Sequence, residues 1–121
     1  MNRIILVTDD KEILDAIPET LKRNGHEVDV HRHGADTLLA FYQWPSRFDL
    51  AIVDQDMEDI SGSALARKLL RLSPRIPIIL LVKKGDMDAK LEGRIAGIRC
   101  FVCKPISAED IINAVEEALR H

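Results

Sequence analysis

Short apolar runs alternate along the whole chain with stretches in which apolar residues return every three or four positions. The runs are RIILVT (residues 3–8), EVDVH (27–31), DLAIV (49–53), IPIILLV (76–82) and RCFVC (99–103). Each is too short for a helix and rich in strand-favouring residues, so five strands are predicted. DLAIV carries four apolar residues in a row, the mark of a strand buried on both faces. Between the runs, Ile13, Leu14, Ile17 and Leu21 predict a first helix that Gly25 stops and Pro18 kinks. A second is predicted over about 35–43, ending before Pro45. A third follows Gly62, with Leu65, Leu69 and Leu72 on one face and Pro74 beyond it. A fourth, about 86–95, is weakened by Gly93 and Gly97. A fifth carries Ser107 and Asp110 in capping-box positions ahead of Ile111, Ile112, Val115 and Leu119.

Strands and helices in strict alternation predict an α/β fold, a doubly wound five-stranded parallel sheet with helices on both faces. In such sheets ligands sit beyond the carboxyl ends of the strands, where the strand order reverses. With 121 residues the chain is expected to form one domain, residues 1–121. The balance of 17 basic against 20 acidic residues, formally −3, gives no reason to expect a nucleic-acid or membrane surface. Ile76–Val82 is far too short to span a bilayer. The opening MNRIILVTDD lacks a secretory cleavage site. Two cysteines without a disulfide framework suit a reducing compartment, so the expected location is the cytoplasm.

The chemistry gathers where the strands end. After the first predicted strand come Asp9 and Asp10, after the third Asp54 and then Asp56, after the fourth Lys83 and Lys84, after the fifth Lys104 and Pro105. Two bare carboxylates about 5 Å apart repel by about 3 kcal/mol at an effective dielectric of ~20. A group of them therefore either raises a pKa or holds a cation. Hard oxygen donors suit Mg²⁺, and a lysine opposite completes a clamp for a phosphoryl group, with one carboxylate free as nucleophile.

These motifs together resemble the response-regulator receiver domains of two-component signalling, CheY-like proteins of flavodoxin-like fold, over essentially the whole chain. ILVTDD is similar to the family's first strand and acidic pair, LAIVDQDMEDISG to its acceptor strand and loop, and FVCKP to the end of its fifth strand. The spacing agrees, with 44 positions from Asp10 to Asp54 and 50 from Asp54 to Lys104. The resemblance implies strand order 2-1-3-4-5, phosphorylation of Asp54, and Mg²⁺ held by Asp9, Asp10, Asp54 and the backbone carbonyl of Asp56. It also implies that Lys104 contacts the phosphoryl group, that Pro105 follows a cis bond, and that Phe101 is the switch aromatic. It implies a sensor histidine kinase or phosphotransfer protein as donor and a downstream effector domain or partner as recipient. It leaves homodimer formation open, and implies a signalling domain that assists its own phosphotransfer and dephosphorylation, not an enzyme.

The chain departs from the family at Val82, where a Thr or Ser is usual, and at Lys83, where the family has a small residue. Valine matches threonine in shape but cannot donate to a phosphoryl oxygen, a bond worth ~1.5–3 kcal/mol. Lys83 and Lys84 could pair with Asp56. Two other readings follow: an atypical receiver acting as a phosphorylation-independent interaction module, and a Mg²⁺-dependent phosphohydrolase using Asp54 and Asp56 as nucleophile and acid–base. The chain stops after the fifth helix, as either a stand-alone regulator or a receiver cut from a longer protein would. Three further signals are read as structural. The CFVC cysteines would point to opposite faces of a strand. His26, His31 and His33 lack a third ligand nearby. Phe41, Tyr42 and Trp44 are expected to pack a helix on the sheet.

Overall fold

The computed structural model describes residues 2–120. Strands β1 (Arg3–Val7), β2 (Glu27–His31), β3 (Leu50–Asp54), β4 (Ile78–Lys83) and β5 (Cys100–Lys104) alternate with helices α1 (Lys11–Arg23), α2 (Gly34–Gln43), α3 (Gly62–Leu72), α4 (Met87–Ala96) and α5 (Ala108–Arg120). Every strand pair is parallel and the order is β2-β1-β3-β4-β5, a flavodoxin-like arrangement. The strand order reverses between β1 and β3, so their carboxyl ends form the predicted ligand edge.

Alternation along the strands builds two apolar layers. Ile5, Val7, Val53, Leu80 and Val82 face one way, against Phe41, Leu65 and Leu69 of α2 and α3. Ile4, Leu6, Ile52, Ile79 and Leu81 face the other, against Ile13, Ile17 and Leu21 of α1 and Ile111 and Val115 of α5. Because both faces are covered, all five residues of β3 are buried, its terminal aspartate included. β4 begins at Ile78 because Pro77 has no N–H for the ladder. β3 and β5 each run one residue further than the apolar pattern, so Asp54 and Lys104 are strand residues held in register.

Short polar side chains start four of the helices, Ser107 among them as expected. Asp10, Ser61, Asp86 and Ser107 accept backbone N–H groups in the first turns of α1, α3, α4 and α5. α1 continues through Pro18, which forgoes the bond to the Leu14 carbonyl while the Ile13–Ile17–Leu21 stripe stays buried. α4 forms despite Gly93 for a reason of packing: a Cβ there would lie 2.7 Å from the Phe101 ring. Gly97, at φ 108°, ends that helix in the left-handed conformation.

The aromatic expectation needs correction. Phe41 is buried and stacks on Phe48 with centroids 5.4 Å apart, but Tyr42 is 75% and Trp44 54% exposed. One helix face can enter the core, and Phe41 takes it. Arg47 lies over the outward Trp44 ring at 5.5 Å. Cys100 and Cys103 are free and half-buried in opposite layers. Burial, then the charge of Glu117, raises the Cys100 thiol above its ordinary 9.0.

Two outcomes follow from the packing. A Cβ at Gly62 would come within 2.5 Å of the Asp54 carbonyl oxygen, so Gly62→Ala should cost about 1–3 kcal/mol in urea unfolding. An unchanged midpoint would mean that the β3–α3 connection can yield. After mild oxidation, mass spectrometry should find both thiols alkylatable. An intramolecular Cys100–Cys103 disulfide would contradict their placement on opposite faces.

Candidate functional site

Asp54 is the only charged residue among the described residues that is wholly buried. Burying a carboxylate is costly unless donors replace its water, and three groups of the strand ends and their loops meet that need. Lys104 Nζ lies 2.6 Å from Oδ1, and the Asp56 N–H donates to the same oxygen at 3.0 Å. The Thr8 hydroxyl lies 2.7 Å from Oδ2 and accepts in turn from the Asp10 N–H at 3.1 Å. The carboxylate is thus gripped at both oxygens by residues following β1, by its own loop and by β5.

Lys104 bridges two acids, since its Nζ also lies 3.1 Å from Asp56 Oδ2. Burial, the largest influence on its ammonium, pulls the pKa down. The hydrogen bond and charge of Asp54, then those of Asp56, outweigh it and raise the pKa above the ordinary 10.5. The lysine is therefore a fixed positive charge. The Lys104–Pro105 peptide bond is cis. This bridge also corrects the expectation for Lys83 and Lys84: Asp56 pairs with Lys104, which reaches it along the strand end, and both other lysines point outward exposed.

Asp9 and Asp10 flank the pair differently. Asp9 is exposed and its Oδ2 accepts the Glu58 N–H at 3.4 Å, across to the loop after β3. Asp10 spends Oδ1 on the Glu12 and Ile13 N–H groups at the start of α1. Among the described residues no three carboxylate, imidazole or thiol groups converge into a closed metal cage. Mg²⁺ does not need one, because it keeps several waters and takes one or two carboxylates with other oxygens. The donor set here is all oxygen, so its chemistry fits that ion.

Val82 is wholly buried in the β4 layer that includes Val53 and Leu80. Phe101 is half-buried against the same layer, beside Gly93, with the Arg94 guanidinium 5.2 Å from its ring centroid.

Two contributors were not singled out from the sequence. Thr8 reads as the last residue of an apolar run, yet strand alternation carries the information: Thr8 is two past Leu6 and Asp54 two past Ile52, on one face. Asp59 looks like another site acid, but its Oδ2 accepts from the Gly34 and Ala35 N–H groups at 2.9 and 3.2 Å. It caps α2, for which His33 supplies no side-chain bond. The loop is closed further by Gln55, whose side-chain oxygen accepts the Ser63 N–H at 2.8 Å and whose carbonyl accepts the Gly62 N–H at 3.1 Å.

Comparison with known proteins agrees with this geometry. The transcriptional regulatory protein CreB of Escherichia coli K12 is 34% identical over 116 residues, 95% of this chain and 49% of CreB. The uncharacterized transcriptional regulatory protein YbdJ of Bacillus subtilis 168 is 31% identical over 119 residues, 98% of this chain and 51% of that protein. The chain therefore spans about half the length of these curated relatives. Among solved structures, a CheY-like receiver domain protein from Methanospirillum hungatei superimposes with a TM-score of 0.90 at 26% identity, over 99% of this chain and 94% of that one. The BeF3-activated DrrB receiver domain does so with 0.86 at 30% identity, over 100% and 99%. Residues 4–116 match the response regulator receiver domain, and with that match, the strand order and the relatives together, the chain belongs to that family of two-component signalling proteins.

Proposed function

We propose that the chain accepts a phosphoryl group on Asp54 from a phosphohistidine of a sensor kinase or phosphotransfer protein and relays the change to an effector. The observation that carries this reading is the buried Asp54 carboxylate paired with Lys104 at 2.6 Å at the switch point of the sheet. In the transfer, a carboxylate oxygen attacks phosphorus, the bond from phosphorus to the donor's imidazole nitrogen breaks, and the imidazole leaves with the electron pair. Lys104 is placed to attract the phosphoryl oxygens and to hold Asp54 in the attacking orientation. Asp9, Asp10, Asp54 and the Asp56 carbonyl are the residues that would hold Mg²⁺, which when bound neutralises the charge of the acids and the incoming phosphoryl group.

A phosphohydrolase is disfavoured because Asp56, its required acid–base, is ion-paired to Lys104 at 3.1 Å. The phosphorylation-independent reading draws support from Val82. With no hydroxyl to draw toward the phosphoryl group, phosphorylation biases the position of Phe101 less, since a ligand shifts an equilibrium only by its differential affinity for the two states. The missing bond, ~1.5–3 kcal/mol, would weaken that coupling roughly ten- to a hundredfold. We place the chain between the two: phosphorylated, with a damped response.

Acetyl phosphate with Mg²⁺ should add one phosphoryl group to the wild type by intact mass and none to Asp54→Asn; an adduct that survives this substitution would overturn the assignment. Mg²⁺ at a hundred times its dissociation constant should stabilise the fold by about 2.7 kcal/mol. Asp10→Asn should lose most of this, and equal responses would count against the acidic site. In NMR spectra, beryllofluoride should perturb amides near Asp54 while leaving Phe101 and α4 little changed, and Val82→Thr should extend the perturbation to both. A full response at Phe101 in the wild type would contradict the damped switch.

A further inference from the structure

Thr8 is wholly buried one residue beyond β1, its N–H donating to the His31 carbonyl at 3.0 Å. Its hydroxyl has one proton, and the structure fixes where that proton goes. The Asp10 N–H can only donate, so it occupies a lone pair of Thr8 Oγ1 at 3.1 Å. The proton is left for Asp54 Oδ2, 2.7 Å away. The two oxygens of Asp54 are therefore unlike. Oδ2 faces a neutral donor in a fully enclosed place. Oδ1 faces Lys104 and Asp56, whose side chains are 17% and 34% exposed.

We propose that Thr8 is a positioning residue for phosphoryl transfer, an inference that rests on phosphorylation of Asp54. Its hydroxyl retains Oδ2 as the unreacting oxygen and presents Oδ1 to the donor. When Oδ1 bonds to phosphorus and the donor's own bond to phosphorus breaks, the carboxylate charge is lost. Oδ2 becomes the carbonyl oxygen of a mixed anhydride, a weaker acceptor for Thr8. On hydrolysis a water oxygen attacks phosphorus, the Oδ1–P bond breaks, and its electron pair returns to the carboxylate. Inorganic phosphate leaves with the water oxygen, and the water proton passes to solvent. Charge then reappears on Oδ2 opposite a hydroxyl already aimed at it. A bond that strengthens along the reaction lowers its barrier, so Thr8 accelerates loss of the phosphoryl group and shortens the signal.

The test follows decay of the acyl phosphate after labelling wild type, Thr8→Val and Thr8→Ser with radiolabelled acetyl phosphate and Mg²⁺ and then removing the donor. Charge-assisted hydrogen bonds are roughly twice as strong as neutral ones. Thr8→Val, which keeps the volume, should therefore lengthen the phosphoryl lifetime roughly three- to tenfold. Thr8→Ser should return it to within about twofold of wild type. A purely structural role predicts otherwise, because a loosened site admits water and shortens the lifetime. Should Thr8→Val fail to fold, Thr8→Ala removes the same hydroxyl and should also decay slowly. Labelled variants that decay as fast as wild type or faster would overturn the role of Thr8 while leaving Asp54 as acceptor. A wild type that takes no label would overturn the phosphorylation reading and this inference with it.

Discussion

A carboxylate with no solvent exposure ends the central strand, and an ammonium 2.6 Å away makes that burial tolerable. An unpaired buried charge would either take up a proton or open the fold. The strand that carries Asp54 must be apolar on both faces to be covered by helices, so nothing within β3 can compensate it. Compensation has to come from the neighbouring strand ends, and it does: Lys104 from β5, Thr8 from beyond β1, and the Asp56 N–H from the turn that follows. The same dependence makes the site responsive. A group that changes the charge of Asp54 changes the partner of every one of these elements.

The surrounding loop is built around that constraint. It must leave β3, place the Asp56 N–H on Asp54, and start α3 within a few residues. Gly62 permits the close pass over the Asp54 carbonyl, and Gln55 fastens both ends of the turn. Asp59 ties the turn to α2. On the same face of the sheet, toward β5, Gly93 allows Phe101 to lie against α4, with Arg94 over its ring. Neighbouring packing, not helix propensity, explains that glycine, and the same packing links β5 to α4.

Much of this was legible in the sequence because it is written in periodicity. Apolar runs and helical spacings gave five strands and five helices with boundaries off by one or two residues, and the charges at the strand ends marked the acidic edge and Lys104, among whose carboxylates the resemblance to receiver domains picked out Asp54. What escaped is which partner each polar side chain meets, since periodicity gives the face and not the contact. Thr8 hides in an apolar run because a buried hydroxyl looks like any β-branched residue until its partner is known. Asp56 and Asp59, three positions apart, look alike in sequence, yet one pairs with Lys104 and the other caps a helix, a difference set by the path of the loop. Tyr42 and Trp44 sit beside a core phenylalanine but face outward, because a helix buries one stripe only.

The pairing of Asp54 with Lys104 is tested most directly by a double-mutant cycle on unfolding free energy, using Lys104→Met, Asp54→Asn and the pair. Lys104→Met alone leaves a buried carboxylate uncompensated and should cost about 3–5 kcal/mol. In the Asp54→Asn background the same change should cost a small fraction of that. Equal costs in both backgrounds would show that the two groups are energetically independent and would contradict the account.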